Sequence, residues 1–417
     1  MRIMRILLIN PNRFRTPPVP PLALEHLAGA LAESQHECRI ADLCFSDDPA
    51  AMIDAAIAEF KPDIAGFTIR NIDTCIYQNN IFFLDDIKTL VLHVKQRGIP
   101  VILGGAGFSF VPEGTLDYLG ADWGIKGPGE IALVEFLDTC ETESPPAGSV
   151  LEGWYMGIDP DLKVERGESI DYGKYVDNRG ILGFATQAGC AERCSYCLEQ
   201  SSIVMFRDPE CVVEEICACA DKGFDTFHLC DTEFNQDLGH CKRFLETLVE
   251  KGPAINWALY LKSSPFDSEL FRLLKKSGAD MVTLSLPTCE NWIENAAELC
   301  ATAKDNGLKI AVDLLLGFPG ESIDDAKRII DALRGISADT VGINSTIRLM
   351  PGLRVTDEIM GSLEYRKYLL GETENNPGFI LPVFYQNISA EMLREIIGDD
   401  PLFKIEGFER TSNYERI

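Results

Sequence analysis

The strongest constraint on this chain is an alternation that occurs twice: short apolar runs, each followed by a stretch with apolar residues at helical spacing. In the first block the runs fall at 5–9, 38–43, 64–69 and 100–103, with helical stretches over 21–34, 49–60 and 82–96. Short runs without a polar face are what a parallel sheet buries on both sides, and the helices between them are its crossovers. Residues 1–140 therefore predict a doubly wound, Rossmann-like α/β domain whose ligands gather at the carboxyl ends of the strands. A second block, 179–350, repeats the pattern. Its runs lie at 181–186, 226–230, 256–261, 281–286, 310–316 and 341–349, separated by helical stretches such as 211–222, 267–277, 292–306 and 323–335. Between the blocks, 141–178 opens with a Glu/Pro/Ser-rich linker and continues with Trp154, Tyr155, Tyr172 and Tyr175, aromatics suited to a domain seam. After Pro351 the rhythm stops, and 351–417 reads as a small α+β cap over the second block.

Composition removes several classes. At 417 residues there is room for two or three domains with real cores. No run of about 18 apolar residues exists, so no membrane span is expected. The apolar N-terminus breaks at Asn10-Pro11, too early for a signal peptide, and the expectation is a cytoplasmic protein. A net charge of −27 would be repelled by a phosphate backbone, which argues against nucleic acid as partner. Fourteen cysteines without a secretory signal imply a reducing compartment and fit an anaerobe.

One stretch carries the chemistry: Gly189-Cys190-Ala191-Glu192-Arg193-Cys194-Ser195-Tyr196-Cys197, directly after the run 181–186. A strand ending in a tight loop would let the three sulfurs converge on one point. Three cysteines leave one iron of a cubane 4Fe–4S cluster open to a substrate or cofactor. The other readings are buried thiols or a zinc site lacking its fourth ligand, although structural zinc usually takes paired C-x-x-C units and a nearby His. The CxxxCxxC spacing, with an aromatic before the last Cys, resembles the radical S-adenosylmethionine (SAM) enzymes. That resemblance implies a partial (β/α)6 barrel for the second block, with its chemistry at the C-terminal strand ends. It makes Cys190, Cys194 and Cys197 the metal ligands and catalytic centre. It further implies that Tyr196 packs on adenine and that Glu233 or Asp231, where the family carries Gly-Gly-Glu, accepts from the SAM ammonium. Gly317 and Phe318, in Leu316-Gly317-Phe318-Pro319-Gly320-Glu321, match the family's Gly-x-Pro-Gly-Glu loop at the adenosine. Ser285 is expected at the ribose or carboxylate and Arg348 beside that carboxylate. Cys217 and Cys219 point to different faces of a predicted helix and cannot chelate one metal. Cys230, at the barrel mouth, is an inert thiol, a substrate contact or a radical quencher.

The first block carries Asn10-Pro11, Pro20-Pro21-Leu22, Lys61-Pro62-Asp63, Gly104-Gly105 and Gly127-Pro128-Gly129-Glu130, in that order. Glycine turns at strand ends let backbone approach a flat or phosphate-bearing ligand, but no G-x-G-x-x-G follows the first strand as a dinucleotide fold would require. The ordered set resembles the cobalamin-binding domain that precedes many radical SAM domains. The loops at the strand ends then place Asn12, Thr68, Arg70, Asn71, Gly104, Gly105, Gly127, Gly129 and Glu130 at cobalamin. No Asp-x-His-x-x-Gly is present to ligate cobalt from below. His26 and His93 fall in predicted helices, where a satisfied surface or core role is expected, and Arg70 is a candidate for the lower face. A cobalamin without a lower ligand is better suited to releasing a methyl radical equivalent than a methyl cation.

Together the resemblances imply a cobalamin-dependent radical SAM C-methyltransferase with three cofactors: a 4Fe–4S cluster, SAM and methylcobalamin lacking a His lower ligand. The expected route is hydrogen abstraction from an unactivated sp3 carbon by a 5′-deoxyadenosyl radical, then methyl transfer, with a flavodoxin or ferredoxin as external electron donor. The compact length with a short cap looks like relatives that methylate a residue within a protein or peptide. The acidic, cysteine-rich chain suits a methanogen, and the resemblance extends to the glutamine C-methyltransferase that modifies methyl-coenzyme M reductase. The alternatives are small-molecule work in natural-product or tetrapyrrole biosynthesis (methylation, ring contraction or cyclisation) and a nonenzymatic cobalamin sensor.

Overall fold

In the first block each strand divides its side chains between two helical layers, as a doubly wound sheet requires. The computed structural model describes residues 2–140, 142–153, 161–162, 164, 166–200, 203–286 and 292–408; Trp154 and Tyr155, expected at the seam, lie outside the described residues. Strands β1 (Arg5–Asn10), β2 (Glu37–Asp42), β3 (Ile64–Thr68), β4 (Val101–Gly104), β5 (Trp123–Lys126) and β6 (Ser149–Glu152) form one sheet in the order β2-β1-β3-β4-β5-β6. Every pairing in it is parallel. Ile6, Leu8, Ile102 and Ile125 face α1 (Leu22–Ala32) on one side, while Leu7, Ile9, Phe67 and Leu103 face α2 (Pro49–Phe60) and α3 (Leu84–Lys95) on the other. Further along, α4 (Ala106–Phe110) and α5 (Pro112–Leu119) follow β4, and α6 (Glu130–Thr139) joins α1. Asp48 accepts from Ala51 N at 3.0 Å and Pro49 occupies the first turn, which together fix the start of α2. The strand order reverses direction between β1 and β3, the place where such sheets open a crevice.

The second block forms another parallel sheet: β7 (Leu182–Phe184), β8 (Thr226–Leu229), β9 (Asn256–Leu261), β10 (Ala279–Leu286), β11 (Lys309–Leu315) and β12 (Thr340–Asn344), in chain order from edge to edge. Alternate residues such as Phe227, Trp257, Leu259 and Leu284 pack outward with the helices, and Ala258, Met281 and Ala311 form a separate small cluster on the inner face.

The cap is less separate than the sequence suggests. Its strand Phe403–Ile405 pairs in parallel with β12 and extends the barrel sheet to seven strands. The run expected as one strand over 341–349 breaks at Ser345-Thr346, where Asn344 Oδ1 accepts from Thr346 N and Oγ1, both at 2.8 Å. Past that turn, Ile347–Arg348 enters a small antiparallel sheet with Phe384–Tyr385 and Leu369–Leu370. Among the described residues no helix is long and apolar enough to cross a membrane.

The segment between the sheets is built into the core. Arg166, with a side chain only 1% exposed, donates from Nε to Glu25 Oε2 at 2.7 Å and from NH2 to Gly183 O at 3.1 Å. Tyr172 OH donates to the same carboxylate at 2.7 Å, and Arg166 also lies 4.0 Å from Glu215, which pairs with Arg207. One buried network thus joins α1, the connecting segment and the barrel helix Pro209–Asp221. Removing one partner of a buried pair leaves the other charge uncompensated. Glu25→Ala is expected to lower unfolding stability by about 3–5 kcal/mol in urea titrations; an unchanged midpoint would mean the network holds nothing.

Candidate active site

The thiol loop leaves β7 at the C-terminal edge of the barrel and lies beneath the cap. Cys190, Cys194 and Cys197 are close enough to influence one another's ionisation. Yet among the described residues no three His, Cys, Asp or Glu side chains converge on a single ion. A cubane does not require that, because each of its ligands reaches a different iron. Burial raises all three thiols, Cys197 to about 12, so loading iron must displace protons. Gln236 Nε2 donates to Cys190 Sγ at 3.2 Å and Glu199 N to Cys197 Sγ at 3.4 Å. From outside, Val355 N donates to Ser195 O at 3.2 Å and Arg354 donates to Arg193 O.

Beside the loop, two carboxyls follow β8 and are set to different tasks. Asp231 accepts from Thr186 N at 2.8 Å, Thr186 Oγ1 at 2.5 Å and Gln187 N at 3.2 Å. Three donors engage it in fixing the end of β7, and burial pushes it up to about 7. Glu233 is buried, touched by Ser285 and attracted by Lys262, and its Oε2 has no partner among the described residues. Of the two expected SAM ammonium acceptors, Glu233 has the free oxygen. Tyr196 and Phe318 meet at 5.4 Å between ring centroids, 49° apart, and form a paired apolar wall. The Gly317–Glu321 turn is closed by Glu321 Oε2 on Gly317 N (2.8 Å) and Phe318 N (3.1 Å), and by Asn387 from the cap on Glu321 O (3.0 Å). Arg348, expected beside the SAM carboxylate, is engaged elsewhere. The turn after β12 carries it into the small antiparallel sheet, where it pairs with Asp73 at 2.9 Å.

A cleft of about 1520 Å³ lies between the two sheets. Thr68, Gly104, Gly105, Gly127, Gly129 and Glu130 line it from the first domain, Gly189, Leu198, Glu199 and Gln200 from the barrel, and Gly378, Ile380 and Leu381 from the cap. Its deep end is apolar, formed by Ile6, Leu8, Leu24, Leu27, Ile102, Ile125 and Leu133. Gly66 leaves a notch there between Leu8 and Ile102; a Cβ would meet Leu8 Cδ2 at 3.1 Å. Gly105 holds φ +99°, and a Cβ on it would lie 2.7 Å from Ile69 O. Glu130 Oε2 and His26 Nε2 are buried without partners among the described residues, and His26 Nδ1 lies 3.7 Å from Glu130. His26 is thus not the satisfied helix residue expected. Asn12, Arg70 and Asn71 do not line the cleft. Asn12 Oδ1 accepts from Phe14 N at 3.1 Å, while Arg70 lies within electrostatic reach of Cys230 at the barrel mouth.

The B12 binding domain family matches residues 15–137 and the Radical SAM superfamily residues 184–333. Tryptophan 2-C-methyltransferase of Streptomyces laurentii is 25% identical over 464 residues, spanning 89% of this chain and 77% of that one. The chain belongs to the cobalamin-dependent radical SAM methyltransferases. Cytidylyl-2-hydroxyethylphosphonate methyltransferase of Streptomyces wedmorensis is 22% identical across 79% of the chain. The methyltransferase TsrM of Kitasatospora setae, solved with cobalamin and a [4Fe-4S] cluster, shares the fold: TM-score 0.86, 23% identity, covering 97% of this chain and 93% of that one.

The cofactors of this methyltransferase are the cluster, SAM and cobalamin, and its residues fit them. The three thiols would hold the cluster, and Glu233 would meet the SAM ammonium. The apolar notch at Gly66 would take a flat base, with Glu130 accepting from a nucleotide hydroxyl. When bound, these groups supply one-electron cleavage of SAM and a transferable methyl; the chain binds, orients and excludes water. Gln236, Lys262, Asn387 and the Arg354–Val355 corner went unnoticed in the sequence. Lys262 alone had a signal, its place at the C-terminal end of β9, where it pairs with Glu192 at 2.7 Å.

Burial raises Glu233 from 4.5 to about 8. A carboxyl raised on folding binds more protons folded than unfolded, so it subtracts stability progressively as pH climbs through that window. In the apoprotein, Glu233→Gln should match the wild type's melting temperature near the lower end and exceed it increasingly toward the upper end. A constant offset would contradict the buried carboxyl.

Proposed function

We propose that this methyltransferase C-methylates a small molecule, with a free aromatic amino acid as the first candidate. The carrying observation is the inner face of the barrel. Because Phe227, Leu229, Leu259 and Leu261 pack outward, alternation turns His228 and Tyr260 inward. Their rings sit 5.7 Å apart at 59° on neighbouring strands, a surface suited to a flat ring. Ser285 and Asp313 share that inner face, and Asp313 adds negative potential at Glu233, suited to an ammonium. The floor of Ala258, Met281 and Ala311 leaves the volume above it to a ligand.

The roof supports the same reading. Cap residues bind the thiol loop and line the cleft, a roofed geometry suited to a free metabolite more than to a residue within a folded protein. Tryptophan 2-C-methyltransferase and cytidylyl-2-hydroxyethylphosphonate methyltransferase are named for small substrates, and neither supports the glutamine of methyl-coenzyme M reductase. The electron donor we assign is a flavodoxin or ferredoxin.

The test is anaerobic incubation of reconstituted enzyme with reductant, SAM and cobalamin against L-tryptophan, other aromatic amino acids and a peptide pool, read by mass spectrometry. Gain of one methylene unit on a free amino acid is expected, and gain only on peptides would overturn the reading. Loss of hydrogen or water without methyl gain would point to ring contraction or cyclisation. Formation of 5′-deoxyadenosine in step with product separates hydrogen abstraction at an sp3 carbon from polar transfer to a ring carbon.

A further inference from the structure

We propose that Arg348 is a positioning residue that latches the cobalamin cleft, tying the loop behind its glycine turn to the cap loop that covers it with one buried guanidinium. The first is the loop after β3. Residues 69–71 lie directly on the glycine turn that lines the cleft: Gly107 N donates to Ile69 O at 2.8 Å, and a Cβ on Gly107 would meet Asn71 backbone at 3.0 Å. The far end of that loop is Asp73. Its Oδ1 accepts from Cys75 N at 2.7 Å and Asn80 Nδ2 at 3.2 Å, and its Oδ2 accepts from Arg348 Nε at 2.9 Å.

The second is the cap loop that covers the cleft from the opposite side. Arg348 NH2 donates to Phe379 O at 3.0 Å and reaches Ile380 O at 3.5 Å, while NH1 donates to Leu349 O at 2.5 Å. Ile380 lines the cleft. The cap loop is stiffened internally by Asn376, which bonds Glu372 O and both backbone groups of Leu381. Through the guanidinium it is tied to the first domain as a unit. The side chains of Arg348 and Asp73 are 5% and 0% exposed, so water does not screen the pair.

Geometry makes the residue specific. The planar fork serves a carboxylate through Nε and backbone carbonyls through its other nitrogens at the same time; an ammonium is a point charge and cannot span both. Cobalamin seated in the cleft would lie against the glycine turn and the cap loop that this guanidinium ties together, so the latch acts on release before it acts on chemistry. Arg348→Lys keeps the charge and loses the fork, and Asp73→Asn keeps the shape and loses the charge.

The experiment loads wild type and variants with hydroxocobalamin and follows its loss into excess free trap by absorbance, with thermal melting alongside. Both variants are expected to release cobalamin about tenfold faster or more, since weakened contacts show mainly in dissociation rates. Ile330→Ala, which opens a cavity in the helical layer behind the barrel, away from the cleft, is expected to lower the melting temperature and leave release unchanged. Should a single variant fail to fold, the neutral pair Asp73→Asn with Arg348→Gln removes both charges together and must release faster. Wild-type release rates in folded variants, or equal acceleration in Ile330→Ala, would overturn the latch.

Discussion

Buried charge holds this molecule's two sheets in register. A parallel sheet presents its ligand-binding loops at one edge only, and a reaction whose cofactors are held by two sheets requires two such edges brought face to face. Apolar contact alone is non-directional and tolerates sliding. Ion pairs withdrawn from water do not, because a displaced partner leaves an unpaired charge in a low-dielectric interior. Glu25, Arg166, Glu215 and Arg207 form such a junction on one side of the seam, and Asp73 with Arg348 forms it on the other.

That constraint explains the form of the site. Gly105 and Gly129 from the first domain and Gly189 and Glu199 from the barrel bound one continuous cleft, so a corrinoid held there would meet the residues that flank the three thiols. The cap serves both edges, through Val355 at the thiol loop and Ile380 at the cleft. Within the barrel, two acids two residues apart diverge in role. Asp231 receives three donors and becomes structural, while Glu233 retains an unpaired oxygen.

Much of this was legible in the sequence because local patterns set it. The strands, the three thiols and the glycine turns at 104–105 and 127–129 all follow from periodicity and motif. Pairings between distant residues did not show. Asp73 and Arg348 stand 275 positions apart, and Glu25 and Arg166 141; no spacing rule links such positions. Arg348 was expected at SAM because it ends an apolar run, yet Asn344 breaks that run and redirects the side chain. His26 read as an ordinary helix residue because its partner Glu130 lies on another helix. The seventh barrel strand, Phe403–Ile405, hid in a cap whose own rhythm is irregular.

The central claim is that one chain carries an iron–sulfur cubane and a corrinoid together, across a single cleft. Iron, zinc and corrinoid content determined on the same anaerobically reconstituted, gel-filtered protein tests it most directly. The account predicts about four irons and one corrinoid per chain, with no zinc. Stoichiometric zinc in place of iron, or a full complement of iron with no corrinoid retained, would contradict it.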